Sequence, residues 1–246
     1  MTLTYLQFHA VFLLPVLLVL GVTARRARAR IETPSLYGFD YRAVGVALLA
    51  AAAFVYTTPW DNYLIARGVW GYGEGAVLVS FGYAPLGEYL FFVVQTVLTA
   101  FWLYTLGVDV SDLRITAPQR ALGVAAGGAV SLLGWWFAAT DAGFYLGTLL
   151  VWAGPVLALQ WGFGWTYLVR HWKTVALGVG VPTVYLWILD TYAIRTGIWY
   201  ISDRFTLGVD LPGLGLPIEE AVFFLLTNVF VVQGLVLWEW VVRRWR

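Results

Sequence analysis

The sequence predicts an all-α integral membrane protein in which seven transmembrane helices form two parallel three-helix repeats joined by a linker helix. Hydrophobic residues make up 61% of the 246 positions and charged residues only 12%, so polar groups cannot cover a water-exposed surface. Apolar segments of about twenty residues, the length that crosses a bilayer, recur along the chain. The predicted spans are residues 3–22, 42–59, 84–106, 121–139, 143–169, 174–193 and 215–240.

The distribution of Lys and Arg predicts how these spans are oriented. Cytoplasmic connections of membrane proteins carry more of these residues than external connections do. Segments 23–42, 107–120, 170–173 and the C-terminus contain five, two, two and three of them, whereas connections 60–83 and 194–214 contain one and two. We therefore expect a multi-pass protein of the cell membrane, with its N-terminus outside and its C-terminus in the cytoplasm.

The first span resembles a secretory signal peptide in its position. It lacks a basic region before its apolar core, however, and Arg25, Arg26, Arg28 and Arg30 follow it as in a stop-transfer segment. We expect it to be retained as a helix of one membrane domain that covers residues 1–246.

Composition excludes several classes of function. The formal charge of +1 provides no basic surface of the kind that binds nucleic acid. The absence of cysteine excludes disulfides, iron–sulfur clusters and thiolate catalysis. His9 and His171 are far apart in the sequence, and the one lysine, Lys173, is not in the last helix, where a retinal-binding protein of seven helices would need it. We predict neither a metal nor a cofactor.

Two motifs occur twice in the same order. Pro-x-x-Glu-x-x-Phe-Phe occupies residues 85–92 and 217–224, and Asp-x-Tyr-x-Ile-x-x-Gly-x-Trp occupies 61–70 and 190–199. Pro217 suits the first turn of a helix, where its missing N–H costs nothing. The nearly constant spacing indicates an internal duplication. The predicted repeats are residues 1–106 and 143–241, connected by the helix 121–139.

The motifs contain five candidate catalytic carboxylates: Glu220, Glu219, Glu88, Asp61 and Asp190. The aspartates are expected to end the second and sixth helices and the glutamates to begin the third and seventh, so all would meet in the outer third of the membrane. Burial near lipid favours the neutral form of a carboxyl group. A neutral carboxyl can protonate a weak base such as a carbon–carbon double bond, and an opposing carboxylate can accept the proton that is released.

Aromatic and polar side chains of the same motifs are the candidate substrate-binding residues, because π-faces stabilise a cation formed beside them. They are Phe91, Phe92, Phe223, Phe224, Trp70, Trp199, Tyr63, Tyr192, Gln95, Thr96, Thr227 and Asn228. Spans 121–139 and 143–169 carry no acid apart from Asp141 at their turn, and we expect them to act as scaffold.

Other interpretations of these residues stay open at this stage. The aspartates could cap helix ends, the phenylalanine pairs could pack in a core, and the tryptophans could belong to the aromatic belt at the membrane interface. A proton-coupled transporter of small solutes, built from three, one and three helices, would also place acids inside the membrane.

The duplicated Pro-x-x-Glu-x-x-Phe-Phe and Asp-x-Tyr…Gly-x-Trp motifs resemble those of the membrane-integral lycopene cyclase domain family, and the resemblance covers nearly the whole chain. That family occurs in archaea, is fused to phytoene synthase in fungi, and is split into two short chains in some actinobacteria. The resemblance implies six or seven helices, one site built by both repeats, and lycopene, a hydrophobic carotenoid, as a substrate taken from the bilayer. Membrane lipid, a second copy of the chain and other carotenoid enzymes are the further expected partners.

The reaction that the resemblance implies is the redox-neutral β-cyclisation of lycopene, which needs no cofactor because it only moves a proton. An acid protonates the terminal double bond of a linear ψ end group, the next double bond closes a six-membered ring, and proton loss leaves a β-ionone ring. Two such reactions yield γ-carotene and then β-carotene. A carotenoid hydratase, which quenches the same cation with water, would share these motifs.

The resemblance also suggests roles for individual acids. Glu219 and Glu220 match the glutamate pair of the family, Glu88 matches the acid of the first repeat, and the aspartates match those of the other motif. Gly87 stands where relatives often have another glutamate. This departure favours an acid in the second repeat and leaves the assignment of acid and base open.

Overall fold

A computed structural model describes residues 3–28, 35–36, 38–108 and 111–244, most of which are helical. The helices are α1 (Tyr5–Phe8), a π-helical segment (His9–Leu13), α2 (Leu14–Arg28), α3 (Tyr41–Ala66), α4 (Leu86–Leu106), α5 (Ala117–Phe137), α6 (Phe144–Arg170), α7 (Trp172–Arg195) and α8 (Ile218–Arg244). Arg30 and Arg246, which belong to the predicted cytoplasmic segments, lie outside the described residues.

Six helices in the described part of the chain are long and apolar enough to cross a membrane. They are Tyr5–Ala27, Tyr41–Ala66, Leu86–Leu106, Phe144–Arg170, Trp172–Arg195 and Ile218–Arg244. The predicted linker helix, α5, is not among them. The length and composition of these helices identify a multi-pass membrane protein.

Short strands join the helices at one end of the molecule. The α3–α4 connection contains β3 (Trp70–Tyr72), β4 (Ser80–Phe81) and β5 (Ala84–Pro85), and the α7–α8 connection contains β6 (Trp199–Ile201), a 3₁₀ turn (Asp203–Phe205), β7 (Asp210–Leu211) and β8 (Leu216–Pro217). β4 with β5 and β7 with β8 form hairpins, whereas β3 pairs antiparallel with β6 across the two halves of the chain. Strands β1 (Ser35–Leu36) and β2 (Phe39–Asp40) form a separate pair before α3.

The two copies of the aspartate motif leave their helices in the same way. The N–H of Gly68 donates to the carbonyl of Ile65 at 2.9 Å, and the N–H of Gly197 donates to the carbonyl of Ile194 at 3.1 Å. Both glycines have left-handed backbone angles, with φ of 73° and 72°, which side chains rarely adopt. The turn therefore explains why each motif contains glycine at this position.

Several predicted boundaries were wrong by a few residues. α3 continues through Pro59 to Ala66, although its connection was expected from residue 60, and α7 ends at Arg195. Asp61 therefore lies more than a turn inside its helix. Pro217 was expected in the first turn of a helix, but it lies in β8, directly before α8.

α5 and α6 form a closely packed helical hairpin. A Cβ atom on Gly127 would lie 2.2 Å from the backbone nitrogen of Ala158, and one on Gly134 would lie 2.6 Å from that of Val151. Small residues allow the two backbones to approach this closely, which is a common way to join helices in a membrane.

A buried ion pair joins α3 and α8 at the end remote from β3 and β6. The guanidinium of Arg42 donates to the carboxylate of Glu239, and so does the Tyr41 hydroxyl. Glu239 and Tyr41 have no exposed surface. Arg243 lies 3.6 Å from the same carboxylate. Burial makes this pair sensitive to loss of either partner.

Candidate active site

Four of the five candidate carboxylates line a single small cavity below the strands. Asp61 comes from α3, Glu88 from the first turn of α4, Asp190 from α7 and Glu220 from the first turn of α8. The cavity, called the acid cavity here, has a volume of about 60 Å³. Because α4 and α8 begin immediately after their hairpins, each hairpin fixes where its glutamate enters this space.

Hydrogen bonds orient three of these acids. The Tyr72 hydroxyl donates to Glu88 Oε1 at 2.7 Å, and Trp199 Nε1 donates to Asp190 Oδ1 at 2.8 Å. The hydroxyl of Tyr145, on α6, donates to Glu220 Oε1 at 2.8 Å. Each donor comes from a different element than its acceptor, so the positions of the carboxylates depend on the whole assembly.

The two aspartates retain unused acceptor atoms. Asp61 and Asp190 are 3% and 2% exposed, and Oδ2 of each has no hydrogen-bond partner within the described residues. A buried polar atom without a partner is costly and calls for a functional explanation. In this cavity, a bare carboxylate oxygen is suited to exchange a proton with a bound molecule.

Glu88 lies near the three other acids of the cavity. It is close enough to interact with Asp61, Asp190 and Glu220, whereas Glu220 also interacts with Asp190. Neighbouring carboxyl groups disfavour simultaneous ionisation, so protons are shared among them.

Tyr72, in β3 outside the helices, contacts Glu88 through its hydroxyl. Burial and the adjacent Glu88 carboxyl raise the pKa of the Tyr72 hydroxyl well above its usual value. The hydroxyl therefore stays protonated and acts as a hydrogen-bond donor to Glu88.

Glu219 does not share this cavity. Its side chain is fully buried, and Oε1 accepts a hydrogen bond of 2.8 Å from the N–H of Leu207 in the preceding connection. Successive residues of a helix are rotated by about 100°, so Glu219 and Glu220 cannot face the same space. The structure thus separates the two members of the glutamate pair.

The predicted aromatic residues surround the acids. Trp70, Trp199, Phe91, Phe223 and Phe224 line the acid cavity. Phe91 and Phe224 meet edge to face with ring centres 5.9 Å apart, and Phe223 and Phe224 are 5.2 Å apart. A cation formed in this cavity would lie against several π-faces.

Phe92 and most of the polar candidates lie in a neighbouring cavity of about 240 Å³, called the second cavity here. Gln95, Thr96 and Thr227 line it together with Phe92. Asn228 is fully buried and bonds within the helix bundle, where its Oδ1 accepts from Gln95 Nε2 at 2.9 Å. Asn228 therefore joins α4 to α8 and does not line either cavity.

Tyr63 and Tyr192 are not brought to the acid cavity. Their side chains are 50% and 40% exposed, with Tyr63 beside Phe144 and Tyr192 beside Phe12. Alternate positions along a helix point in different directions, which explains why the tyrosine of each motif diverges from its aspartate.

Three tyrosines and two tryptophans of the site were missed in the sequence. Tyr5 interacts with Glu88, Tyr72 and Tyr145 donate to acids, and Trp60 and Trp152 stack near Phe223. Tyr145 shows that α6, expected to be scaffold, takes part in the site. Only Tyr72 carried a signal, since it follows Trp70 by two residues and so faces the same side of its strand.

A metal site is not formed by these acids. Among residues 3–28, 35–36, 38–108 and 111–244, no group of three or more His, Asp or Glu side chains could hold a metal ion.

Comparison with known proteins identifies relatives along the whole chain. No protein-family model and no solved structure matches it. The chain is 47% identical over 247 residues to lycopene beta-cyclase of Halobacterium salinarum, covering all of both proteins. It is 34% identical to the bifunctional lycopene cyclase/phytoene synthase of Gibberella fujikuroi, covering 94% of this chain and 39% of the fungal one. With an identity this high over its full length, the chain belongs to the lycopene beta-cyclase family.

Proposed function

We propose that this chain is a lycopene beta-cyclase, an intramolecular lyase of carotenoid biosynthesis that closes the ψ end groups of lycopene into β-ionone rings. Membership of the family supports the reaction, and the convergence of four carboxyl groups in an aromatic-lined cavity supports the mechanism. Such a cavity offers acid, base and cation stabilisation together, which is what a carbocation reaction requires.

The proposed chemistry begins with protonation. The carboxyl O–H of Glu220 donates its proton to the terminal double bond of the ψ end group, leaving a tertiary carbocation. The π-electrons of the next double bond in reach attack that carbon and form the ring bond. The positive charge then lies on the other carbon of the double bond that attacked, which is now part of the ring. Loss of a ring proton to a second carboxylate then restores a double bond. One proton is added and one is lost, so the reaction is an isomerisation.

Geometry favours Glu220 as the acid and Glu88 or an aspartate as the base. Glu220 is held by Tyr145 and lines the cavity, whereas Glu219 faces Leu207. Glu88 interacts with the three other acids, and such a cluster could return the released proton to Glu220 before the next ring closes.

The small volume of the acid cavity favours a cyclase over a hydratase. A volume of about 60 Å³, enclosed largely by aromatic and aliphatic side chains, leaves little room for water once an end group is bound. A cation there would lose a proton to a carboxylate more readily than it would capture water.

We also propose seven membrane crossings, with the two repeats related by a pseudo-two-fold axis along the membrane normal. Contacts at each of the two ends of the helix bundle support this arrangement. The N–H of Tyr5 donates to Ala76, and Arg204 pairs with Asp141, which brings the first helix and the α5–α6 turn to the strand-bearing end. Arg244 donates to Leu113 at the other end. The Lys and Arg distribution supports an external position of the strand-bearing end. A C-terminal reporter fusion found outside would contradict this orientation.

The names of the fungal relatives suggest a partner. The fungal relatives are named as bifunctional proteins that carry a lycopene cyclase and a phytoene synthase on one chain. We propose that the present chain works beside an enzyme of the same pathway in the membrane, because its hydrophobic carotenoid substrate is confined to the bilayer.

Expression in a lycopene-accumulating host tests the function. The expected result is a change from red to yellow-orange, with bicyclic product on chromatography. A Glu220→Gln variant present at the same membrane level provides the matched control and should leave the pigment red. A hydroxylated product would identify a hydratase, and unchanged lycopene with abundant wild-type protein would favour a transporter.

A further inference from the structure

The second cavity continues the acid cavity towards the middle of the membrane. Phe91 and Phe223 line both cavities, so the two meet at these rings. Along α4, the lining passes from Glu88 in the acid cavity to Thr96 in the second, eight residues that rise about 12 Å. The two cavities therefore lie next to each other along the helices.

The walls of the second cavity suit a hydrocarbon. The Thr96 hydroxyl donates to the carbonyl of Phe92 at 2.8 Å, and the Thr227 hydroxyl donates to that of Phe224 at 3.1 Å. Both hydroxyl protons are thus used within their own helices. The remaining lining is mainly aliphatic and aromatic, so displacement of water by an apolar chain is favourable here.

The second cavity opens sideways between α3 and α6. Ala52, Tyr56 and Trp152 line both this cavity and an outer groove of about 1020 Å³ on the surface of the helices. Val55 and Leu159, on the same two helices, are 71% and 72% exposed. Apolar side chains exposed on a membrane-spanning helix face lipid, so the opening leads into the bilayer.

A row of stacked rings follows this opening inwards. Tyr56 and Trp152 have ring centres 5.8 Å apart, Trp152 and Trp60 are 5.0 Å apart, and Trp60 and Phe223 are 5.9 Å apart. Adjacent ring planes differ by only 24°, 21° and 15°. Tyr56 is fixed by a hydrogen bond of 2.8 Å to the carbonyl of Trp152. The row thus runs from the exposed surface to the acid cavity.

We propose that the carotenoid enters and leaves sideways from the lipid through the opening between α3 and α6, an inference that rests on the proposed function. The ψ end group passes between Phe91 and Phe223 to the acids, while the polyene occupies the second cavity and extends into the outer groove. After one ring closes, the molecule returns to the lipid, turns, and re-enters with its other end first. The finished ring then remains on the lipid side.

Narrowing the second cavity tests this path. Ala53 lines the cavity and is half-buried, whereas Ala51, on the same helix, is exposed and lines neither of the described cavities nor the outer groove. Ala53→Phe should lower the initial rate of lycopene cyclisation at least about tenfold, whereas Ala51→Phe should leave it near the wild-type rate. If Ala53→Phe does not accumulate in membranes, Ala53→Val should show a smaller loss in the same direction.

The solvent isotope effect on the initial rate separates a narrowed path from slower chemistry. A rate that is limited by proton transfer falls in D₂O, whereas a rate that is limited by passage through the opening does not. The Ala53 variants should therefore show a smaller solvent isotope effect than the Ala51 variant. Equal rates and equal isotope effects for the Ala53 and Ala51 variants would overturn the path. Wild-type protein that forms no ring at all would instead overturn the proposed function.

Discussion

Replacement of Glu220 by glutamine removes the transferable proton but keeps the size and shape of the side chain. Glutamine has nearly the same size, and its side-chain oxygen can still accept the hydrogen bond that Tyr145 makes at 2.8 Å. The cavity and the fold should therefore survive. The amide cannot deliver a proton to a double bond, so the chemical step should lose its acid.

The magnitude of the loss follows from general acid catalysis, which contributes about 10²–10⁴ in rate. At about 1.36 kcal/mol for each factor of ten, this range corresponds to about 2.7–5.4 kcal/mol of transition-state stabilisation. The substrate-binding walls remain, so the loss should appear in kcat more than in KM.

Glu219→Gln is the matched control, because it makes the same chemical change one residue away. Its amide oxygen can keep the hydrogen bond to Leu207, and its amide nitrogen takes the place of an oxygen that has no partner within the described residues. We expect a near wild-type rate. Initial rates would be measured by chromatography of carotenoids from membranes that contain equal amounts of each variant.

Deuterium provides a second readout of the same step. In D₂O, the acid exchanges with solvent before reaction, so the first new ring should carry one deuterium at the protonated carbon. A Glu220→Gln variant that cyclises within about tenfold of the wild-type rate would refute the assignment. A large loss in Glu219→Gln with activity retained in Glu220→Gln would exchange the roles of the two acids.

The remaining predictions concern cation stabilisation, helix packing and the buried ion pair. Phe223→Leu should slow cyclisation about 2- to 30-fold, the equivalent of about 0.5–2 kcal/mol of cation–π stabilisation, in the same rate assay. Gly127→Ala should lower thermal stability in detergent because its Cβ would lie 2.2 Å from a backbone atom, whereas Gly128→Ala, with nothing within 4 Å, should not; equal melting temperatures would contradict this packing. Arg42→Leu should lower the free energy of unfolding by up to about 3–5 kcal/mol, because the buried Glu239 carboxylate would keep only the Tyr41 hydroxyl and the more distant Arg243. The double variant with Glu239→Leu should recover much of this loss in denaturant unfolding.

The duplicated motifs predicted the four acids that meet, although they also included Glu219, which faces Leu207. Asp61, Glu88, Asp190 and Glu220 occupy equivalent places in two copies of one pattern, so symmetry alone brings them to a common space. The apolar composition likewise predicts most of the helices, although Pro59 did not end its helix. Neighbouring helices can compensate for the hydrogen bond that a proline removes inside a membrane.

The donors to these acids could not be predicted in the same way. Tyr5 and Tyr145 belong to no repeated motif, and their partners are separated from them by long stretches of chain. The different directions of Glu219 and Glu220 depend on where α8 begins, and a shift of one residue in that boundary would exchange them. The donors and these side-chain directions depend on how the helices pack, which the spacing of motifs along the sequence does not specify.

The pairing of β3 with β6 gives the two halves of the chain a means of recognising each other that does not depend on the covalent link. Its register sets Trp70 opposite Ile201 and Tyr72 opposite Trp199, with backbone hydrogen bonds continuing to Ser202. A cut between α4 and α5 would leave one strand on each fragment, with half of the acids on each side. Two separately made pieces could therefore associate through this strand pair and rebuild the acid cavity.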